Sequence, residues 1–349
     1  MEWDRRSLWA FGEGSIEELA EAYDLLVADH PFIGFAAERG LLLPLDELLP
    51  AEYLRDQEAN SVGPSYRSYS YGGHQWALAI DTSGQTSATR PDLLERVGAQ
   101  EPTTWAEVIE FARRIGAVTM PLAPIDALSA FFTFCAQAGR PAFGAGDRSV
   151  VHRDTGRDAL ALLSELAGAL DKSCLDTNPI RALSEMSRGD GVAYVPLTYA
   201  YSNYSRRGYA RNLVSFGPAP GGSGTTLGGA GLAVSARSAA SDRAVAFARW
   251  VAGEECQRTV YVLSGGQPGH RAAWTDELAN QVTNGFFRKV LPVLDQAYLR
   301  PNHDGFAQFQ AEAATTVHDF LVQGGDADGV LDRLDRSYER HRRPSGTPG

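Results

Sequence analysis

Apolar positions change period twice within the first forty residues. Ile16, Leu19 and Ala20 recur at helical steps behind Ser15-x-x-Glu18, so SIEELAEAY reads as a short helix opened by a capping box. Tyr23–Ala28 is a mostly apolar run, read as a strand, that ends in the polar Asp29-His30-Pro31. FIGFAAERG then returns to helical spacing. Helix, buried strand, polar loop, helix is an α/β arrangement, in which such strands are usually parallel and covered on both faces. Leu41–Leu49 is a turn-rich apolar stretch, and Gln75–Ile80 (QWALAI) reads as a second strand.

Past Asp81 the predicted elements are mainly helices. Pro91–Glu95 is a short one, and Thr104-x-x-Glu107 is a capping box before Val108, Ile109, Phe111, Ala112 and Ile115. Ala127–Gln137 and Asp158–Leu170 are further helices. Gly191–Leu197 and Leu213–Phe216 read as strands. Phe216–Gly231 (FGPAPGGSGTTLGGAG) reads as a loop or a crossing between domains. It lacks the Lys-Ser/Thr of a Walker loop and the strand-to-helix setting of a dinucleotide fingerprint. Leu232–Ser235 is a strand and Ser241–Ala252 a helix. Helices at about 276–298, 305–321 and 326–340 complete the chain, with no internal repeat.

The 349 residues favour two domains at roughly 150 residues each. The 32 basic and 43 acidic residues leave a net charge of −11, which argues against nucleic acid and anionic membranes as partners. Cys135, Cys174 and Cys256 are far apart and odd in number, so they read as free thiols, not as a disulfide framework or zinc cluster. The seven histidines form no H-E-x-x-H or H-x-x-x-H pair, and no G-x-S-x-G elbow occurs. No catalytic set, metal site or cofactor motif emerges.

Two features carry chemistry. Asp29-His30 ends a buried strand, where open α/β sheets gather ligand contacts. The pair is either a hydrogen-bonding or acid/base pair at a cleft, or a helix-capping Asp beside a packed His. Tyr199, Tyr201, Tyr204 and Tyr209 fall in one loop-like window, and Tyr66, Tyr69 and Tyr71 cluster before QWALAI. A tyrosine offers an apolar face and a hydroxyl, which suits a sugar ring, although aromatic stripes are also common in cores.

The order of these phrases resembles the extracellular solute-binding proteins of ABC transporters, in the family 1 group of maltose-type sugar receptors. AAERGLLLPLDELLP is similar to that family's G-x-L-x-P-L-D stretch. YSYGGHQWALAI, then DLLERVGAQEPTTWAE, follows its Y-x-G-K-x-Y-x-x-P, strand, D-L-L-x-x-x-G and P-x-T-W-x-E. RGDGVAYVPLTYAYSNYS resembles G-x-A-A-M followed by W-A-W-S-N. GPAPGGSGTTLGGAGLAVS and SGGQPGHRAAW resemble the return crossings, so the likeness covers about Tyr23 to Trp274.

The resemblance implies an α/β, two-lobe periplasmic-binding-protein-like fold of type II. Each lobe would be a mostly parallel sheet flanked by helices, with a helical C-terminus. Lobe one would be 1–81 plus 226–267, and lobe two 82–225 plus 268–349, with a cleft between them that closes on ligand. The implied ligand set is Asp29, His30, Tyr71, Asp81, Tyr199, Tyr201, Asn203, Gly229 and Trp274. Tyr199 and Tyr201 stand where the family has tryptophan, and Gly73-His74 where it has Gly-Lys.

The implied function is a substrate receptor for a sugar or similar polar molecule: a non-enzymatic monomer working with an ABC permease outside the cytoplasm. The N-terminus as given has no apolar export core. A cytoplasmic enzyme or sensor of the same fold is therefore the alternative. A further expectation is that Met1 is an internal start, ahead of which the family's first β-α unit would pair with the strand at 25–28.

Overall fold

The computed structural model describes residues 2–5, 15–144 and 149–342. Its strands are β1 (Leu25–Ala28), β2 (Ser70–Tyr71), β3 (His74–Gln75), β4 (Ala77–Thr89), β5 (Tyr194–Tyr199), β6 (Ser215–Gly217) and β7 (Leu227–Val234). The thirteen-residue β4 organises the molecule. Its first part, Ala77–Gly84, pairs with β7, and β7 pairs with β1. Its last part, Gln85–Thr89, pairs with β5 and with β6.

The first part of β4 is covered on both faces. Ala77 and Ala79 enter one apolar cluster with Leu26, Ile33 and Ala233, while Leu78 and Ile80 enter another with Leu45, Leu232 and Ala248. This alternation is the period of a pleated strand between two layers. Beyond Thr89 two further clusters form. One centres on helices Trp105–Ile115, Pro124–Gln137, Arg153–Ala169 and Phe306–Gln323, and the other on Trp274, Phe286 and Phe287 with Ala88 and Val195. Cys135, Cys174 and Cys256 are buried free thiols.

Thr104 and Glu107 form a reciprocal capping box, and Ser15 accepts the Glu18 N–H at 3.2 Å. Other expectations change. The ladders among the named strands are antiparallel, not mostly parallel. β1 and β4 do run the same way, but β7 lies between them in the opposite sense. β5 and β6 likewise flank β4, each antiparallel to it.

The predicted strand Gln75–Ile80 also stops too early. Asp81-Thr82-Ser83-Gly84-Gln85-Thr86-Ser87 has the composition of a loop yet continues β4, and from Thr82 to Ser87 it is buried. Three of its side chains are satisfied by neighbours, while Thr82 Oγ1 and Thr86 Oγ1 have no hydrogen-bond partner among the described residues. Ser83 Oγ donates to the Ala200 carbonyl (2.8 Å), Gln85 Oε1 accepts from Thr133 Oγ1 (2.5 Å), and Ser87 Oγ donates to Glu101 (2.6 Å). Gln267 extends this network: its amide donates to Thr82 O (2.8 Å) and Ala200 O (3.1 Å), and its Oε1 accepts from the Ser202 N–H (2.8 Å). Buried polar residues are tolerated when partnered in this way.

Finally, the glycine-rich segment is not all loop, because Gly228–Gly231 lies inside β7. A Cβ on Gly229, whose φ is +140°, would sit 2.4 Å from the Asp81 carbonyl oxygen, at the irregular register between Ala79 and Asp81. Glycine there lets two backbones approach.

Candidate ligand-binding site

The polar middle of β4 is where the chemistry collects. Tyr199 ends β5, and its ring lies over β7, so that a Cβ on Gly228 would come within 2.8 Å of Tyr199 Cε1. The Tyr199 hydroxyl donates to Ser129 Oγ (3.4 Å). Ser129 sits one turn beyond Asp126 on helix Pro124–Gln137, so both face the same way. Asp126 is 4% exposed, and its Oδ2 has no hydrogen-bond partner among the described residues. Burial pushes its carboxyl up to about 8.

Asp81 lies in the same region. Burial pushes its carboxyl up to about 7, opposed by a hydrogen bond from the Gln267 backbone. Burial, and then the charges of Asp126 and Asp81, raise the Tyr201 hydroxyl well above the usual tyrosine value. Tyr69 is the counterpart for Asp29 and Asp81. It is buried, its hydroxyl is raised by burial and by those two carboxylates, and its ring covers Gly231. All three phenols are therefore neutral donors at physiological pH.

Asp29 caps the turn His30–Phe32, accepting the His30 N–H at 2.8 Å and lying 3.2 Å from His30 Nδ1. Burial pushes the Asp29 carboxyl up, but the His30 hydrogen bond and the nearby Arg300 charge hold it below its ordinary value. His30 is 1% exposed, and burial and Arg300 lower its pKa, so it is neutral near pH ~7. Its bond to an ionised carboxylate puts the proton on Nδ1, which leaves Nε2 an acceptor with no partner among the described residues. The buried Arg300 donates to Gln310 Oε1 (2.6 Å) and also acts on Tyr199. Asp29 is thus a cap, as one of the two alternatives has it, and its charge reaches Tyr69 and Tyr199.

The structure brings Asp29, His30, Asp81, Tyr199 and Tyr201 together. It separates others. Trp274 is 0% exposed, donates from Nε1 to the Pro268 carbonyl (2.7 Å) and packs on Phe286 and Phe287, so it offers no face to a ligand. Tyr71 points to Glu38 with a 2.7 Å hydrogen bond, and Tyr69 takes the inner position instead. Gly229 serves backbone packing, and the Asn203 side chain lies against Gly265.

Asp126, Gln267 and Arg300 are not singled out by the sequence, and Tyr69 is named there only as part of the tyrosine cluster before β4. Asp126 left a trace, as the one charged residue between Met120 and Gln137. A surface groove of about 530 Å³ between helices Trp105–Ile115 and Arg153–Ala169 contains none of these residues, and its Arg113 and Arg114 are paired with Glu165 and Glu110.

The sequence profile of the bacterial extracellular solute-binding proteins matches residues 16–281. The chain belongs to that family. No curated protein matches it significantly by sequence. Among solved structures, maltose-bound MalE3 of Thermotoga maritima is similar over 95% of this chain and 86% of its own, with a TM-score of 0.78 and 18% identity. The GacH receptor of Streptomyces glaucescens, studied unliganded and with acarbose, is similar over 95% and 88%, at 0.76 and 17%. A solute-binding protein of Agrobacterium vitis with bound D-mannitol is similar over 93% and 86%, at 0.72 and 16%. The fold is accordingly the two-lobe arrangement of periplasmic binding proteins, and the protein is a member of the extracellular solute-binding family.

Proposed function

We propose that this protein captures a sugar or sugar alcohol in a cleft spanned by β4 and delivers it, as a monomer outside the cytoplasm, to an ABC permease. The observation that supports the reading is the clustering of Tyr69 and Tyr199 over the β7 glycines next to Asp81, together with the buried, unpartnered acceptors His30 Nε2 and Asp126 Oδ2. Carboxylates accept hydroxyl hydrogen bonds, and phenol rings cover C–H faces. The maltose and mannitol bound by similar folds agree with this class.

We assign 1–81 plus 226–267 to one lobe and 82–225 plus 268–349 to the other. Residues near Asp81, Thr225 and Pro268 are then the crossings. The apolar clusters on either side of the polar middle of β4 support that division. The role is binding without turnover. The family match to solute-binding proteins supports this reading over an enzyme on the same fold. No helix among the described residues is long and apolar enough to cross a membrane.

Calorimetric titration with maltose, glucose, mannitol and sorbitol tests the reading. At least one should bind at one site and be recovered unchanged. Tyr199→Ala should weaken binding by about 2 kcal/mol, roughly thirtyfold. The proposal fails if no member of the panel binds, or if Tyr199→Ala binds as the parent does.

A further inference from the structure

The chain is acidic overall, with 43 aspartates and glutamates, yet residues 191–241 contain none. The same stretch holds Arg206, Arg207, Arg211 and Arg237. The first three fall in the loop 206–212, just past the turn Ser202–Ser205 that follows Tyr201. Arg206 turns inward and donates to the Val262 carbonyl (2.7 Å). Arg207 and Arg211 are exposed, as is Arg188 at the end of helix Pro179–Arg188. Asn212 ties the loop to that helix end, its backbone N–H and side-chain amide both donating to the Ser187 carbonyl (2.9 and 3.2 Å).

Arg188, Arg207 and Arg211 form no ion pair with any described residue. Other exposed arginines do: Arg157 with Asp328 (2.9 Å), Arg258 with Asp276 (2.8 Å) and Arg288 with Glu277 (3.0 Å). Of the neighbouring acids, Asp190 is held by Arg90 (3.3 Å) and Arg96 (3.9 Å), and Glu185 stands one turn before Arg188 without pairing to it. Tyr209 lies between Arg207 and Arg211 and is 55% exposed. Its ring packs edge-on against the buried Tyr204 (5.3 Å), whose hydroxyl is bonded to Ser184 Oγ (2.8 Å). Gly208, at φ +84°, makes the turn, which the Tyr209 N–H closes on the Arg206 carbonyl (3.3 Å). Arginines around a held tyrosine are the composition of a recognition surface, and a loop already ordered loses little freedom on binding.

We propose that loop 206–212 and Arg188 form a docking surface for an acidic segment of a partner protein, its carboxylates paired by Arg188, Arg207 and Arg211 around the Tyr209 ring. A guanidinium matches a carboxylate with two parallel bonds. A short acidic segment meets only this patch. A bilayer or a nucleic acid would also meet the surrounding surface of a chain with net charge −11. The inference rests on the receptor reading in one respect, that the segment belongs to the permease. The bond from Arg206 to Val262 fits that role, because it ties the base of the loop to the other assigned lobe.

Fluorescence anisotropy on the full chain tests it, with a labelled peptide of alternating glutamate and serine and its glutamine counterpart as probes. The glutamate peptide should bind about tenfold tighter or more than the glutamine peptide, and should weaken as salt rises from about 0.05 to about 0.5 M. Arg207→Ala combined with Arg211→Ala should cut its affinity about tenfold or more, and Tyr209→Ala about threefold or more. Arg243→Ala, at an exposed arginine outside the loop, should bind as the parent does. Equal binding of the two peptides overturns the inference, as does binding that the Arg207→Ala, Arg211→Ala protein retains or that Arg243→Ala weakens as much. Tighter binding to phosphatidylglycerol vesicles or duplex DNA than to the glutamate peptide also overturns it. The loop variants should hold sugar as the parent does, and loss of sugar binding in them would assign the loop to the cleft and overturn the docking surface. Sugar binding without peptide binding removes the docking surface alone, and peptide binding without sugar binding removes the receptor reading alone.

Discussion

Asp126 shows how much one side chain can report. Its carboxyl stands at about 8 in the folded protein against an ordinary 3.8. Between those values the folded chain binds more protons than the unfolded one, so stability falls as pH climbs and the loss is complete above about 8. Asp81 adds to the same slope up to about 7. Thermal melts from about pH 5 to about pH 9 should therefore show the ligand-free protein weakening with rising pH. Asp126→Asn should flatten that slope and melt about 3 °C or more higher near pH ~8. Parallel slopes in parent and variant would show that Asp126 does not titrate in this window. From the sequence, Asp126 is only a lone acid near a helix start. What raises its pKa is burial, which depends on distant segments such as Tyr199 of β5, about seventy residues along the chain, whose hydroxyl meets Ser129 on the same helix.

Among the elements, β4 and β7 separate what periodicity reveals from what it hides. The apolar part of β4 was legible because Ala77–Ile80 alternates between two covered faces. The remainder was not, since Thr, Ser, Gly and Gln are turn formers when read locally and become strand residues only with partners on both edges. The glycines of β7 show the reverse. Their composition announces flexibility, while their positions are fixed by close approach to Asp81 and to the tyrosine rings.

Gly229→Val should therefore cost about 3 kcal/mol, combining a disfavoured φ with overlap at the Asp81 carbonyl. Gly168, inside helix Arg153–Ala169 with open space at its Cβ, is the control, and Gly168→Ala should be neutral or stabilising by about 0.5–1 kcal/mol. Urea midpoints at constant m-value measure both. A Gly229→Val midpoint equal to the parent's would show that β7 can retreat from β4 without loss.

The whole chain has apolar cores on either side of one long strand whose middle is polar. A polar, hydrogen-bonded middle can rearrange with less penalty than an interdigitated apolar core, which resists continuous deformation. Closure about the middle of β4 is therefore expected, with Gln267 travelling as a tie between Thr82, Ala200 and Ser202. Small-angle scattering with and without the tightest-binding member of the titration panel should show a smaller radius of gyration in the complex. An identical profile under saturating ligand would argue against closure.

The linear chain carried enough to assign an α/β fold, the extent of most helices and the family, and it named Asp29, His30, Tyr199 and Tyr201 as candidates for the site. Those signals are local: periodicity, caps, and short phrases in order. Strand direction, the length of β4, the exchange of Tyr71 for Tyr69, the retreat of Trp274 into the core and the entry of Asp126 and Arg300 into the cleft came from packing. Each depends on which distant segment lies alongside. Burial and charge, which set what a polar side chain can do, are properties of that surrounding and not of the residue's place in the chain.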